Sequence, residues 1–226
     1  MSAFLRRFAE FTALSLSALY ATGQTATPKT LPQSSDKAAI RLQRLPLAFE
    51  PNVGQAAAGT DYLVRTGAMQ AELSATRIRL SLPPASGQEE QVSIQLDGAR
   101  KDATRTAAER LEGESNYLLG KDASTWHTHV PRYGRVTYAE VYSGIDLTYY
   151  GNGSQVEHDF VVHPGATPSS IRLQFDGARK VEVTRAGDLR IALDGSAVTL
   201  RQPRAYQTIG EYVGRCRRSS CSPTAA

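Results

Sequence analysis

The stretch Ile145–Val162, IDLTYYGNGSQVEHDFVV, decides the fold. In its first half Ile145, Leu147 and Tyr149 fall on one side of an extended chain, and Asp146, Thr148 and Tyr150 on the other. In its second half Glu157 and Asp159 oppose His158, Phe160 and Val162. Side chains alternate faces in a strand, so each half reads as a strand with one apolar face. Between them Gly151-Asn152-Gly153-Ser154 supplies residues that tolerate the positive φ of a tight hairpin turn. The unit predicted is an antiparallel β-hairpin with one face in a core.

Similar runs extend in both directions. Ala71–Leu82 sets Ile78, Leu80 and Leu82 against Arg77, Arg79 and Ser81, and Gln91–Leu96 sets Val92, Ile94 and Leu96 on one face. Arg135–Tyr138, Ile171–Phe175, Val181–Thr184, Leu189–Leu193 and Ala197–Arg201 are shorter candidates. Asp102–Glu112, with Ala107, Ala108 and Leu111, reads as a helix or an exposed loop. Short strands punctuated by turns every 8–12 residues predict an all-β fold, an antiparallel β-sandwich built from successive hairpins with minor helical or loop insertions.

The ends differ from this body. Arg6 and Arg7 precede the uncharged apolar run Phe11–Ala21, and Ala21-Thr22-Gly23 places small residues where a signal peptidase cuts, so residues 1–23 read as an export signal. The run is about half the length of a membrane span. Residues 24–44 read as a flexible lead-in with a short helix at Asp36–Gln43, residues 45–207 as the β domain, and residues 208–226 as an aberrant or disordered tail ending GRCRRSSCSPTAA, as a truncated or out-of-frame end would. Of the formal charge of +4, residues 1–23 and 211–226 carry +3 and residues 24–210 a net +1. A near-neutral body gives no electrostatic case for nucleic acid or for membrane insertion after signal cleavage. Arg65, Arg77 and Arg79 are the one basic stripe to look for. Two cysteines, Cys216 and Cys221, exclude a disulfide framework for the domain.

Two internal similarities stand out. Gln95–Lys101 (QLDGARK) and Gln174–Lys180 (QFDGARK) match at six of seven positions, and Gly67–Pro83 aligns without gaps on Gly187–Pro203. The offsets between copies differ, which excludes a simple tandem duplication. Related sheet-building units and the shared constraints of period-2 patterning are both open readings.

Three segments are more specific: Leu45–Gln55 (LPLAFEPNVGQ), Asn116–Pro131 (NYLLGKDASTWHTHVP), and Tyr133–Gly165, continued by Ser169–Phe175 and Gly187–Leu189. Together they resemble the N-terminal domain of bacterial cell-surface proteins that carry SBBP repeats, the β-propeller-type repeats. That resemblance implies export to the periplasm, the cell surface or beyond, a β-rich fold, and a non-enzymatic capping or interaction role. The implied partners are the propeller repeats of a full-length protein, or a surface protein or glycan. It implies no cofactor.

The residues themselves offer a few alternatives. Asp146, Glu157 and Asp159 beside Tyr150 are the arrangement a carbohydrate-active site uses, and the same carboxylates could chelate Ca²⁺; the polar outer face of a half-buried hairpin gives the same pattern. Trp126, close to Tyr133, Tyr138, Tyr142 and Tyr149, is a candidate for sugar stacking or docking. His127 and His129 form the H-x-H that puts two imidazoles on one side of a strand, without a third ligand nearby. No nucleophile elbow and no phosphate-cradling loop is present.

Overall fold

The computed structural model describes residues 3–10, 46–67, 69–83, 89–209, 212–217 and 220–221, with side chains from 46 to 207 within those ranges. The strands are β1 Ala3–Glu10, β2 Phe49–Pro51, β3 Tyr62–Arg65, β4 Gln70–Ser74, β5 Arg77–Leu82, β6 Glu90–Leu96, β7 Thr104–Tyr117, β8 His127–Tyr142, β9 Ile145–Asn152 and β10 Gln155–Val162. They continue as β11 Leu173–Asp176, β12 Lys180–Val183, β13 Leu189–Ala192, β14 Ala197–Leu200, β15 Arg204–Ile209, β16 Tyr212–Arg217 and β17 Ser220–Cys221. Two single 3₁₀ turns, Ala123–Thr125 and Pro168–Ser170, are the helical content among the described residues, and neither is long and apolar enough to cross a membrane. The fold is all-β and antiparallel, its sheets curled into a sandwich-like body. Of the expected export signal, the backbone of β1 is described; the apolar run Phe11–Ala21, the lead-in and its helix at Asp36–Gln43 lie outside the described residues.

The hairpin that opened the sequence argument forms as expected. Asn152 faces Gln155 across the two-residue turn Gly153-Ser154, and the ladder runs to Ile145 opposite Val162. Gly153 takes φ 61°, the left-handed value such a turn demands. The predicted run Ala71–Leu82 is two strands, β4 and β5, hinged at Ala75-Thr76.

The largest departure lies between residues 102 and 142. Asp102–Glu112 is neither helix nor loop; most of it belongs to β7, a 14-residue strand paired along β8. Alanine, glutamate and arginine favour helix locally, and the ladder offered by β8 overrides that preference. The short candidate Arg135–Tyr138 is the middle of the 16-residue β8. Register shifts between Arg110 and Glu114, between Ser115 and Tyr117, and between Tyr138 and Tyr142, with positive φ at Gly113, His129 and Glu140, break the alternation and hide the length of both strands from a period-2 search.

β8 is the spine. It pairs with β7 along one edge and with β9 through residues 135–142 on the other, and Tyr133 faces Phe49 of β2 beyond the end of β9. Two sheets therefore diverge from it. One runs β9, β10, β1, β15, β16, β17; the other runs β2, β3, β4, β5, β6, β11. The β12–β13–β14 unit joins the first through β14 and β1. The core fills the space between them. Ile78, Leu80, Ile94 and Leu96 meet Tyr149, Val156 and Phe160, leaving a cavity of only about 30 Å³. Tyr138 and Tyr149 pack edge to face at 6.2 Å and 89°. Each large side chain buried here contributes about 1.5–3 kcal/mol.

The two QxDGARK copies meet at their first residues. β11 lies antiparallel to β6 with Gln174 opposite Gln95, and Arg172 donates to the Asp97 carboxylate at 3.0 Å. The two aligned hairpins differ in register. Leu73 faces Ile78, whereas Ile191, not Leu193, faces Val198. The slip of two residues preserves which side chains face inward.

Candidate functional site

The polar face of the β9–β10 hairpin was the expected site, and the register places its members. Asp146 stands opposite Val161, Thr148 opposite Asp159 and Tyr150 opposite Glu157, all on one face. That face is not the solvated outer surface the alternation suggested. Tyr150 is only 8% exposed, and Thr148, Glu157 and Asp159 are buried with it. Period 2 tells which residues share a face; it does not tell whether further chain covers that face.

Each carboxylate is engaged. Tyr150 and Tyr206 donate their hydroxyls to the two oxygens of Asp159 at 3.2 and 3.3 Å. Asn152 Nδ2 donates to Glu157 Oε1 at 2.6 Å. The Arg135 guanidinium lies 5.0 Å from the centroid of the Tyr150 ring, and its Nε donates to Glu109 at 2.7 Å. Asp146 serves the backbone: Oδ1 accepts from the amide of Glu140, inside the β8 bulge, at 2.7 Å, and Oδ2 lies 2.8 Å from His163 Nε2. These groups tie neighbouring strands together through hydrogen bonds.

His127 and His129 do not form a joint site. His129 has φ 60°, which breaks the alternation H-x-H depends on, and its Nδ1 lies 2.8 Å from Glu114 Oε2. His127 packs its ring on Gly54, where a Cβ would come within 2.6 Å of the imidazole. Among the described residues no group of three or more His, Cys, Asp or Glu could hold a metal ion. The basic stripe is interrupted, because Glu72 sits between β3 and β5 and pairs with Arg79 at 3.1 Å.

Trp126 occupies a different surface. The β7–β8 connection carries Leu118, Leu119 and Trp126, with Leu119 67% and Trp126 38% exposed. Asp122 caps its 3₁₀ turn by accepting from the Ser124 amide at 2.9 Å, and Thr125 Oγ1 reaches the Leu119 carbonyl at 3.4 Å. Exposed Val53 adjoins this surface, since its neighbour Gly54 touches His127. Four large apolar side chains are therefore exposed on the β2–β3 loop and the β7–β8 connection beside it.

Val53 is held there by the motif FEPNVGQ. Asn52 Oδ1 accepts from the amides of Gly54 and Ala56, both at 3.1 Å, while Nδ2 donates to the carbonyls of Ala57 and Thr60 at 3.2 and 3.0 Å. Gln55 Nε2 donates to the Pro51 carbonyl at 2.8 Å, and its Oε1 accepts from Val53 N at 2.7 Å. The loop between β2 and β3 is thus shaped by two amide side chains.

Glu50, in the same motif, opens onto a feature the sequence did not reveal. Its two oxygens accept the hydroxyls of Ser115 and Tyr117 on β7. Burial, with the Glu50 carboxylate next, pushes the Tyr117 phenol up to about 12, and the Arg65 guanidinium lies 4.7 Å from the centroid of its ring. Beside this cluster lies a groove of about 770 Å³, lined by Leu47, Glu50, Arg65, Arg132, Gly153 and Ser154 among others. Its walls come from β2, the β3–β4 turn, β8 and the β9–β10 turn. Glu50 and Tyr117 lie in the specific segments quoted above, but nothing in the chain order signals that Arg65 and Arg132 meet there.

The model of a family described as a domain of unknown function, DUF7948, matches residues 49–215. The chain belongs to the DUF7948 family. The DUF7948 match starts at the first residue of β2 and ends within β16, past the Gln207 at which the domain was expected to close. A search of curated proteins found no match, and neither did a search of solved structures.

Proposed function

We propose that this DUF7948 domain is an exported, non-enzymatic module of the bacterial surface that docks the β-propeller-type SBBP repeats of a full-length protein and caps their open end. The observation that carries the reading is the exposure of Leu118, Leu119 and Trp126 on one connection, with exposed Val53 on the adjoining loop. Clustered apolar side chains exposed to water mark docking surfaces, and repeat arrays need their terminal faces covered. The loops that present them are held by side-chain hydrogen bonds, so the surface is preformed. The non-enzymatic part is supported by the engagement of Asp146, Glu157 and Asp159 in hydrogen bonds within and beside the hairpin.

The test is a titration of the chain against a purified SBBP-repeat array by analytical ultracentrifugation. Wild type is expected to associate, and a Leu119→Ser/Trp126→Ser variant with an unchanged circular-dichroism spectrum to bind at least about tenfold more weakly, the loss that two well-packed anchors bring. Equal binding by wild type and variant, or no association at all, refutes the docking role.

A further inference from the structure

The 770 Å³ groove is a second surface, remote in character from those exposed apolar residues. We propose that it binds a carboxylate-bearing oligosaccharide segment of the uronic-acid type through Arg132 and Arg65. This rests on the reading of the domain as one that binds without cleaving, and it does not depend on the repeats being the docking partner.

Four observations lead there. First, the groove has the size of a small-ligand site, within the roughly 300–1,000 Å³ range of such pockets. Second, Arg132 is only half-exposed, yet among the described residues its guanidinium has no ion pair and no hydrogen bond. A partly desolvated guanidinium presents a fork of donors that fits a carboxylate bidentately. Third, the one lining carboxylate, Glu50, is already satisfied by the Ser115 and Tyr117 hydroxyls. Arg65 is steered by Gln70, whose Oε1 it meets at 3.1 Å, and by the Tyr117 ring, leaving the groove with a surplus of positive charge. Fourth, the remaining lining suits a sugar. Pro46, Leu47 and Ala48 supply an apolar strip for a pyranose C–H face, and Gly67, Gly153 and Ser154 bring backbone and hydroxyl groups for ring hydroxyls. Gly151 makes the close approach possible: a Cβ there would lie 2.7 Å from Leu47 Cβ, so the strip can lie against the hairpin only because that residue has no side chain.

The experiment is isothermal titration of the full chain with a galacturonic acid trimer, its fully methyl-esterified form and triglutamate. The trimer is expected to bind, more weakly as salt rises, and the neutral ester to bind at least about tenfold more weakly, because the charge-assisted fork is lost. Arg132→Gln and Arg65→Gln should each weaken the trimer by about tenfold, and Arg132→Lys by less, since it keeps the charge without the fork. Arg172→Gln, far from the groove in the Asp97 pair, should leave binding unchanged. Thermal melts of each variant separate lost binding from lost fold. Equal affinity for trimer and ester, tighter binding of triglutamate, or an equal loss in Arg172→Gln overturns the proposal. Cleavage of the trimer, followed by chromatography, would support the site while overturning the non-enzymatic reading. An inert trimer would overturn the site and leave the apolar docking surface standing.

Discussion

Replacing Asn52 by alanine tests the larger of the two side-chain contributions that shape the loop presenting Val53. The substitution deletes four hydrogen bonds of 3.0–3.2 Å and a longer one of 3.4 Å to the Ala56 carbonyl. A net bond contributes about 0.5–1.5 kcal/mol, and this loop is half in water, so the low end applies: a loss of about 2–3 kcal/mol is expected. With m near 2 kcal/mol/M, the urea midpoint should fall by about 1–1.5 M at unchanged m, and Tm by roughly 5–10 °C. Asn52→Asp is the sharper probe. It keeps the acceptors for the Gly54 and Ala56 amides but turns a charge toward the Ala57 and Thr60 carbonyls, so it should be no more stable than the alanine variant. Circular dichroism against urea, with both variants beside wild type, reads the result. An alanine variant within about 0.5 kcal/mol of wild type, or an aspartate variant matching wild type, refutes the assignment, because the loop would then be held by its backbone and Gln55 without Asn52.

The paired glycines of the two QxDGARK copies should differ. Gly177 has φ 85° and a Cβ there would lie 2.6 Å from the Gln91 carbonyl oxygen, whereas at Gly98 the nearest atom, on Arg172, is 3.7 Å away; Gly177→Ala is expected to cost about 2–4 kcal/mol and Gly98→Ala about 1 kcal/mol by urea denaturation. Tyr117, with its phenol raised to about 12, contributes stability that is intact below pH 10 and lost as pH rises through about 12, because the unfolded chain ionises first. Tyr117→Phe should therefore flatten the fall of Tm over that window, and an unchanged slope would count against the burial of Tyr117 beside Glu50. Trp126 is the single tryptophan and is 38% exposed, so acrylamide should quench it efficiently in the native state and emission should shift little on unfolding; a strongly blue-shifted, protected signal would contradict that exposure.

The parts of the fold that were legible in the sequence are the local ones. The β9–β10 hairpin carries its own turn chemistry and its own alternation, so its strands and its inward face, Tyr149 included, follow from eighteen residues. β7 was not legible because its residues prefer helix and only the distant ladder of β8 makes them a strand. Nor was the burial of Tyr150, Glu157 and Asp159, because covering a face is a tertiary event. The meeting of the heptapeptides was visible as similarity but not as contact. Of the site residues, Trp126 is exposed, while Tyr150, Glu157 and Asp159 are not. The arginine groove was invisible, because it assembles short pieces of β2, β8 and two turns that are far apart in the chain.

The antiparallel seam in which two near-identical heptapeptides meet at their first residues has a consequence for molecules in company. A ladder in which Gln95 faces Gln174, and Leu96 faces Leu173, is close to palindromic: either edge offers the other almost what it would offer itself. When β11 lifts away, the bared β6 can accept the β11 of a second molecule, or a second β6, in nearly the same register. The seam that closes the sheet within one chain is thus also a template for exchange between chains, in which the Asp97–Arg172 pair at its end would form equally well.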